Sequence, residues 1–543
     1  MSTSFSINNH TPIAPLQLKK YKAMKKIKNI AIYTLLLSIG ISLSSCQKDF
    51  IEINTDPIGV GSVKAEKLLA PALTNVLSTN LVRNRTFNNE LMQVTVDITD
   101  EEGKVFRYDV RRNWADYTWN NWYGELTNLK DIYTIASRPE SLNKSYQGIS
   151  LITEAWVMQL LTDTYGDVPY TEANQGKLGL YEPAFDKQKD IYLSLLTKLE
   201  EANTLLTEGD AIVPSSDPVY QGDVAKWRRF GNSLYLRFLL RIAGKAEVSA
   251  QVIAKIKEMI DTNPTKYPIM LNNTHTARIL WNGTNSSTAV YSSPFMVNVR
   301  ATDFRGPGIT DFFMGNLSSW ADPRINPAYG KSNVSRWGIA AGPGGYIGVP
   351  SGYQQGSSVV KQSYFYAEPA AITLQTDAAT GIIMNVAEVD FMLAEAAARG
   401  WINGTGENYY YKGIADAINY WIPTLYQNGD DAAVRKFALD GDFDWDNSFP
   451  LDNKALGSQS KLQLIHAQKY YALFLVDFQQ WFEYRRTGHP LLPKGSGLRN
   501  GGVMPARLYY PVITQSTNPT SYRNAVAAQG PDEISTSVWW QKP

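Results

Sequence analysis

The residues best placed to do chemistry in this chain are one cysteine and a belt of aromatic rings. Cys46, the only cysteine, directly follows Leu43-Ser44-Ser45. A single thiol excludes an intramolecular disulfide and a zinc site built on cysteines. Placed where it is, it resembles the bacterial lipobox, in which the leader is cut off just before a cysteine that already carries diacylglycerol. The rings lie between Leu271 and Thr380, where Trp281, Trp320, Trp337 and Tyr346 stand among Gly, Asn, Ser and Pro. Flat aromatic faces suit the apolar C–H faces of sugars, and Asn, Asp and Arg suit their hydroxyl edges, which is binding without bond cleavage. The alternative for each ring is to anchor its loop on a scaffold. Trp114, with Trp119, in RRNWADYTWNNWYGE is a second choice of binding residue, because Trp122 and Tyr123 read as the start of a buried helix.

Reactive constellations are missing. His275, His466 and His489 lie far apart, and neither HExxH nor GxSxG occurs. Gly330-Lys331-Ser332 has the ending of a phosphate loop, but Ile325 stands where its first Gly is needed. Gly342 and Gly344 lack the third Gly of a dinucleotide turn, since position 347 is Ile. Alternating carboxylates at Asp440, Asp442, Asp444 and Asp446 offer oxygens to a structural calcium ion, yet no turn Gly follows as in an EF-hand, so a solvated acidic loop is the default and no cofactor is expected. A glycosidase stays open at this point, because the separation of its two carboxylates, about 5 to 9.5 Å, is a tertiary matter.

Charge separates the first 45 residues from the rest. They hold Lys19, Lys20, Lys22, Lys25, Lys26 and Lys28 and no acid, followed by the apolar run Ile30–Leu43. That run is shorter than the ~20 residues of a membrane span, and a basic segment followed by a short apolar one is a secretory signal. Met24 opens MKKIKN, a second start point that would leave residues 1–23 upstream. Setting these six of the 52 basic residues aside leaves 46 against 51 acidic ones, a net charge of about −5. Nucleic acid is therefore not expected as a partner.

The elements that must position the rings read as helices on either side of the belt. Ile149, Ile152, Trp156 and Leu160 share one helix face, and the pattern breaks at Tyr165-Gly166-Asp167-Val168-Pro169. Asp186 is placed to cap a helix with the stripe Tyr192, Leu195, Leu199, Ala202 and Leu206. A third helix spans about Asp223 to Ala243, with Trp227 and Phe230 on its buried face. Glu388–Arg399 and Asn408–Leu425 form a pair around Gly400 and Gly404, and Trp421, like Trp156, Trp227 and Trp481, reads as core. Lys461–Arg486 reads as one long helix stopped by Gly488 and Pro490, with Arg485 and Arg486 satisfying carbonyls or acids rather than ligand. From Leu271 to Thr380 no sustained helical stripe is legible, and the density of aromatics there argues against disorder.

Six segments in order resemble the SusD/RagB outer-membrane nutrient-binding lipoproteins of Bacteroidetes: CQKDFIEINTDP, LLTDTYGDVPYTEA, WRRFGNSLYLRFLLRIA, VAEVDFMLAEAAARG, QKYYALFLVDFQQWFEYRRTGHP and MPARLYYPVITQSTNP. The resemblance implies a mostly α fold, a scaffold of four tetratricopeptide-like helix pairs with a loop-rich insertion that carries the ligand site. It further implies a signal peptide over 1–45 and a single SusD-like domain over 46–543, with scaffold 46–270 and 381–543 and insertion 271–380. Lipidation at Cys46 would tether the mature chain to the outer membrane at the cell surface. A SusC-like TonB-dependent transporter is the implied partner, and a glycan or a peptide the implied ligand. The residues expected to hold it are Trp281, Trp320, Trp337, Tyr346 and Trp114, with no catalytic residue. A purely structural helical scaffold is the remaining alternative, in which the aromatic belt packs inward and leaves no groove.

Overall fold

The computed structural model describes residues 63–283, 291–426, 431–446 and 459–542; Cys46 and its leader lie outside the described residues. Helices α1 (Ala65–Arg83) and α2 (Trp114–Ala136) form a first antiparallel pair, and α3 (Lys144–Tyr165) and α4 (Gln188–Thr207) a second. A third pair follows in α5 (Val224–Ile242) and α6 (Ser249–Lys257). Strands between them are short: β1 (Thr95–Val96), β2 (Val168–Pro169) and β3 (Phe185–Asp186), of which β2 and β3 pair antiparallel.

Local chemistry explains the ends. The Asn143 side chain accepts from Tyr146 N–H at 2.8 Å to start α3, and Gly166, at φ 85°, ends it in a conformation that costs a residue without a Cβ little. The Asp223 side chain caps α5 through Lys226 N–H. Asp186 does not cap α4. Its carboxylate instead accepts from the N–H groups of Tyr170 and Thr171 at 2.9 and 3.0 Å, fastening the turn after Pro169, and α4 starts without a side-chain cap. Helix α2 starts at Trp114, eight residues before the expected start near Trp122, so Trp114 and Trp119 belong to it.

The insertion leaves the scaffold through β4 (Ala277–Ile279). It contains β5 (Gly308–Ile309), α7 (Asp311–Ser319), β6 (Ile339–Ala340) and β7 (Tyr364–Phe365), and returns through β8 (Gly381–Met384). β4 and β8 pair antiparallel, so the two ends of the insertion are clasped together, while β5 pairs with β1 of the scaffold and β6 with β7. Helix α7 lies in the stretch where no sustained helical stripe is legible. Thr310 caps it through Phe313 N–H, and Phe313, Met314 and Leu317 give it a buried face too short to show as a sustained stripe.

Beyond the insertion, α8 (Val386–Ala398) and α9 (Gly406–Trp421) make the fourth pair. They are followed by α10 (Asp431–Asp440), α11 (Gln459–Ala472), α12 (Gln479–Thr487), α13 (Val512–Thr517) and α14 (Pro519–Gln529). The expected single helix from Lys461 to Arg486 is two, α11 and α12. Between them Leu475 and Asp477 take φ values of 68° and 30°, and the buried Asp477 backbone carbonyl accepts from Asn84. The periodic apolar residues through Phe474, Val476 and Phe478 hid that break, because they are buried in the turn as they would be in a helix.

Charge is built into the scaffold core. Arg237 of α5 grips Glu388 of α8 through two bonds of 2.7 and 2.6 Å, both side chains about 1% exposed. Nearby, Glu395 of α8 accepts from Arg486 and sits 3.1 Å from His466, and Glu483 of α12 pairs with Lys469, Arg486 and Arg241. Burial alone would raise both carboxyls; the surrounding cations outweigh it and hold Glu395 and Glu483 well below the usual carboxylate range. Arg485 donates to the carbonyls of Asp163 and Ala506. Both terminal arginines of α12 are thus consumed by structure.

Candidate ligand-binding surface

Three of the expected binding residues lie inside. Trp337 is 0% exposed, its ring stacked 5.9 Å from Phe313 and tilted against Phe474 at 4.9 Å, with the Arg324 guanidinium 4.7 Å from its centre. Trp320 is wedged between Phe443 and Tyr471 at 4.9 and 5.0 Å. Both plug the same aromatic cluster at the end of α11. Trp281 is buried separately at the clasp, its indole against Gly381 of β8, where an added Cβ would lie 2.6 Å from Nε1. None of the three offers a free ring face. The expectation that these rings stack on ligand is corrected here: Gly- and Asn-rich context marked loops, and the rings are what hold those loops to the scaffold.

Tyr346 differs. It is half-buried, and its carbonyl accepts from the Ser318 hydroxyl. Burial, with the Tyr366 hydroxyl nearby, raises its phenol above the usual value. The strand around β7 supplies its neighbours. Side chains alternate sides along a strand, so Phe365, 7% exposed, points in and stacks on Phe474, while Tyr364 and Tyr366 remain half-buried on the outside, their centroids 5.9 Å apart. Lys361 lies 4.2 Å over the Tyr364 ring and donates to the Arg305 carbonyl. Burial, then the charge of Arg305, pulls its ammonium down from the usual value. Ile347, 46% exposed, extends the apolar area beside Tyr346. The result is an outward patch of three phenol rings with a cation and the Gln362 amide at its edge.

Tyr364 and Tyr366 were not singled out as binding residues in the sequence. The signal that finds them is the run Ser363-Tyr364-Phe365-Tyr366-Ala367, whose burial alternates at period two. Trp114 lies apart from this patch, at the start of α2, half-buried with Arg83 4.8 Å over its ring and Phe87 5.8 Å away. Asp440 forms an ion pair with Lys436, and among the described residues no group of three or more His, Cys, Asp or Glu side chains is gathered as a metal would require.

Two larger grooves run between scaffold elements. One of about 700 Å³ lies among α4, α5 and α6, with Glu200, Tyr235 and Lys255 on its wall. Another of about 640 Å³ is bounded by Asn272–Thr274 and α9.

Sequence and fold comparisons place the chain in a family. A SusD-like family model, described as starch-binding associating with outer membrane, matches residues 57–511. The chain belongs to the SusD-like family. Members of that family are carbohydrate-binding proteins, not enzymes, which removes the glycosidase alternative. Among solved structures, a chitin-binding SusD homolog from Flavobacterium johnsoniae is 22% identical with a TM-score of 0.69, covering 88% of this chain and 98% of that one. A SusD homolog from Bacteroides uniformis is 23% identical at TM-score 0.69, over 88% and 99% of the two chains. A further structure titled as a chitin-binding protein is 24% identical at TM-score 0.67, over 88% and 99%. At these identities the likeness is one of fold, and it is the SusD-like helical fold with the four helix pairs described above. A search of curated proteins returned no match.

Proposed function

We propose that this SusD-like protein is a cell-surface lipoprotein that captures oligosaccharide and passes it to a SusC-like TonB-dependent outer-membrane transporter. The observation that carries the reading is the family match across residues 57–511, with its starch-binding, outer-membrane-associating description. Chitin-binding proteins among the structural neighbours favour a glycan over a peptide. On this reading the ligand rests on Tyr346, Tyr364 and Tyr366. Sugar C–H faces lie on the phenol rings, and Lys361 and Gln362 meet hydroxyl edges. The buried tryptophans keep that surface rigid, so ring positions are set before the ligand arrives. Trp114, beside Arg83, is a separate and smaller aromatic surface.

Attachment is proposed through Cys46. No helix among the described residues is long and apolar enough to cross a membrane. Several acyl chains at about 0.8 kcal/mol per buried CH₂ would make a firm anchor. The segment after Cys46 would then keep the domain at high local concentration above a barrel even when the two part. Cys46→Ser is expected to leave the membrane fraction in cells without a partner transporter; retention there would contradict the anchor. Co-purification from detergent-solubilised membranes is expected to bring down a TonB-dependent barrel, and recovery only as a free monomer would contradict the partnership.

The direct test is a glycan and peptide array probed with the soluble chain from residue 47 onward. Binding to oligosaccharides that emerge chemically unchanged is the expected result. Binding to peptides alone would overturn the glycan reading.

A further inference from the structure

Charge is spread unevenly over the insertion. From Pro323 to Ala367 the chain carries Arg324, Lys331, Arg336 and Lys361 and no acidic residue. Arg324 is bound to Asp322 and Arg336 to Asp377, so those two charges are spent inside the fold. Lys361 and the exposed Arg305 make no ion pair among the described residues; what Lys361 holds is the Arg305 backbone carbonyl. Asp303, two residues before Arg305, is taken by Arg300 at 2.7 Å. Glu368, the next acid along the chain after Asp322, follows Tyr366 at the opposite end of β7 from Lys361.

These two cations stand at the edge of the tyrosine patch. The Lys361 ammonium lies 4.2 Å over the Tyr364 ring, held there by its bond to residue 305, so its position is fixed before anything binds. Burial and then the charge of Arg305 pull that ammonium down, and no carboxylate acts on it in the other direction. Two like charges held together, one of them half-buried, repel each other, and an anion beside both relieves the repulsion. Sugar hydroxyls do not need such a pair. Their edges are met by dipoles such as the Gln362 amide, whose oxygen accepts from Gly344 N–H at 3.4 Å while its nitrogen keeps donors to give. A carboxylate or a sulfate brings full negative charge and several acceptor oxygens, which a guanidinium fork and an ammonium bind together.

We infer that Lys361 and Arg305 form a site for the acid group of an anionic oligosaccharide, a carboxylate or a sulfate, beside the rings that stack its sugars. The inference rests on the glycan-binding reading above. A neutral glycan would meet the rings and leave both charges unmatched.

The glycan array tests this when it carries oligogalacturonate and oligomannuronate for carboxylates, carrageenan oligosaccharides for sulfate, and maltotetraose, cellotetraose and chitotetraose as neutral probes. The strongest binders are expected to be acidic, and whether they carry carboxylate or sulfate tells the two sources apart. Titration calorimetry then compares the best acidic probe with its neutralised form, the methyl ester of a uronate or the desulfated carrageenan. The acid is expected to bind about tenfold or more tightly. Raising sodium chloride from about 0.05 to about 0.5 M is expected to erode that preference by screening the charges. In Lys361→Met, which keeps an unbranched side chain over Tyr364, and separately in Arg305→Gln, the ratio of acid to neutral affinity is expected to shrink severalfold; the exposed Arg305 position keeps the test open if the Lys361 variant unfolds. Strongest binding to neutral probes, equal affinity for an acid and its neutralised form, or an unchanged ratio in the folded variants would overturn the acid site and leave the glycan reading standing. Failure to bind any glycan on the array would overturn both.

Discussion

The scaffold and the insertion are held by opposite kinds of force. Across the scaffold, helices are registered by buried ion pairs: Arg237 with Glu388, and the Glu395–Arg486–Glu483–Lys469 chain. The insertion carries few such pairs to the scaffold and is nailed down by rings, with Trp320 and Trp337 driven into the Phe313–Tyr471–Phe474 cluster. Ion pairs demand fixed geometry and specify one arrangement of helices at some cost in stability. Aromatic plugs need only volume, so the loops between them are free to differ in sequence. On the proposed reading, that division leaves recognition to the insertion's outer face while its inner face keeps it still.

The largest expected effects break each hold in turn. Arg237→Met leaves Glu388 buried and unpaired and is expected to cost about 3–5 kcal/mol in urea unfolding, most of it regained in Arg237→Met/Glu388→Leu. A double variant as unstable as the single one would mean the pair matters for more than charge. Trp337→Ala removes a fully buried indole and is expected to cost about 3–5 kcal/mol. A loss below 1 kcal/mol would show that Trp337 is not the anchor described.

Glu90, at the seam, ties stability to pH. Burial, with Asp97 beside it, pushes its carboxyl up to about 8, against the bond it accepts from Phe106 N–H. Between the ordinary carboxylate value and about 8 the folded chain keeps this proton and the unfolded chain does not. Stability is therefore expected to fall as pH rises through that window, by at most about 1.4 kcal/mol per unit from this one group. Glu90→Gln should flatten the slope and gain most over the parent at pH 8. A difference between the two proteins that stays constant from pH 5 to pH 8 would contradict the shift.

Much of the scaffold was legible because a helix buried on one side writes its period into the sequence: Ile149, Ile152, Trp156 and Leu160 all lie at 0% exposure. Trp156, Trp227 and Trp421 are core as their stripes indicate. The break at Leu475–Asp477 was not legible, since a buried turn keeps the same apolar letters as a helix. The site was harder still. Trp281, Trp320 and Trp337 stand out by residue type, yet whether a loop tryptophan faces in or out depends on partners such as Phe443 and Tyr471, more than 100 residues away. The outward rings of Tyr364 and Tyr366 were marked only by a two-residue alternation, too brief to register among the fourteen aromatics between Leu271 and Thr380.

The smallest expected effect concerns a single outer ring. Tyr364→Ala is expected to weaken glycan binding by about 1 kcal/mol, roughly fivefold, with no change in unfolding temperature. A change in stability without a change in affinity would reassign Tyr364 to the anchoring set.

On the proposed reading, the insertion binds glycan with its outer tyrosines and is held by its inner tryptophans. Calorimetry on the triple variant Tyr346→Ala/Tyr364→Ala/Tyr366→Ala, with the oligosaccharide that binds best on the array, tests it most directly. Heat of binding is expected to disappear, a weakening of about 100-fold or more at ~1 kcal/mol per ring, while the unfolding curve matches the parent protein. Parent-like affinity in that variant would contradict it and place the glycan on another face of the molecule.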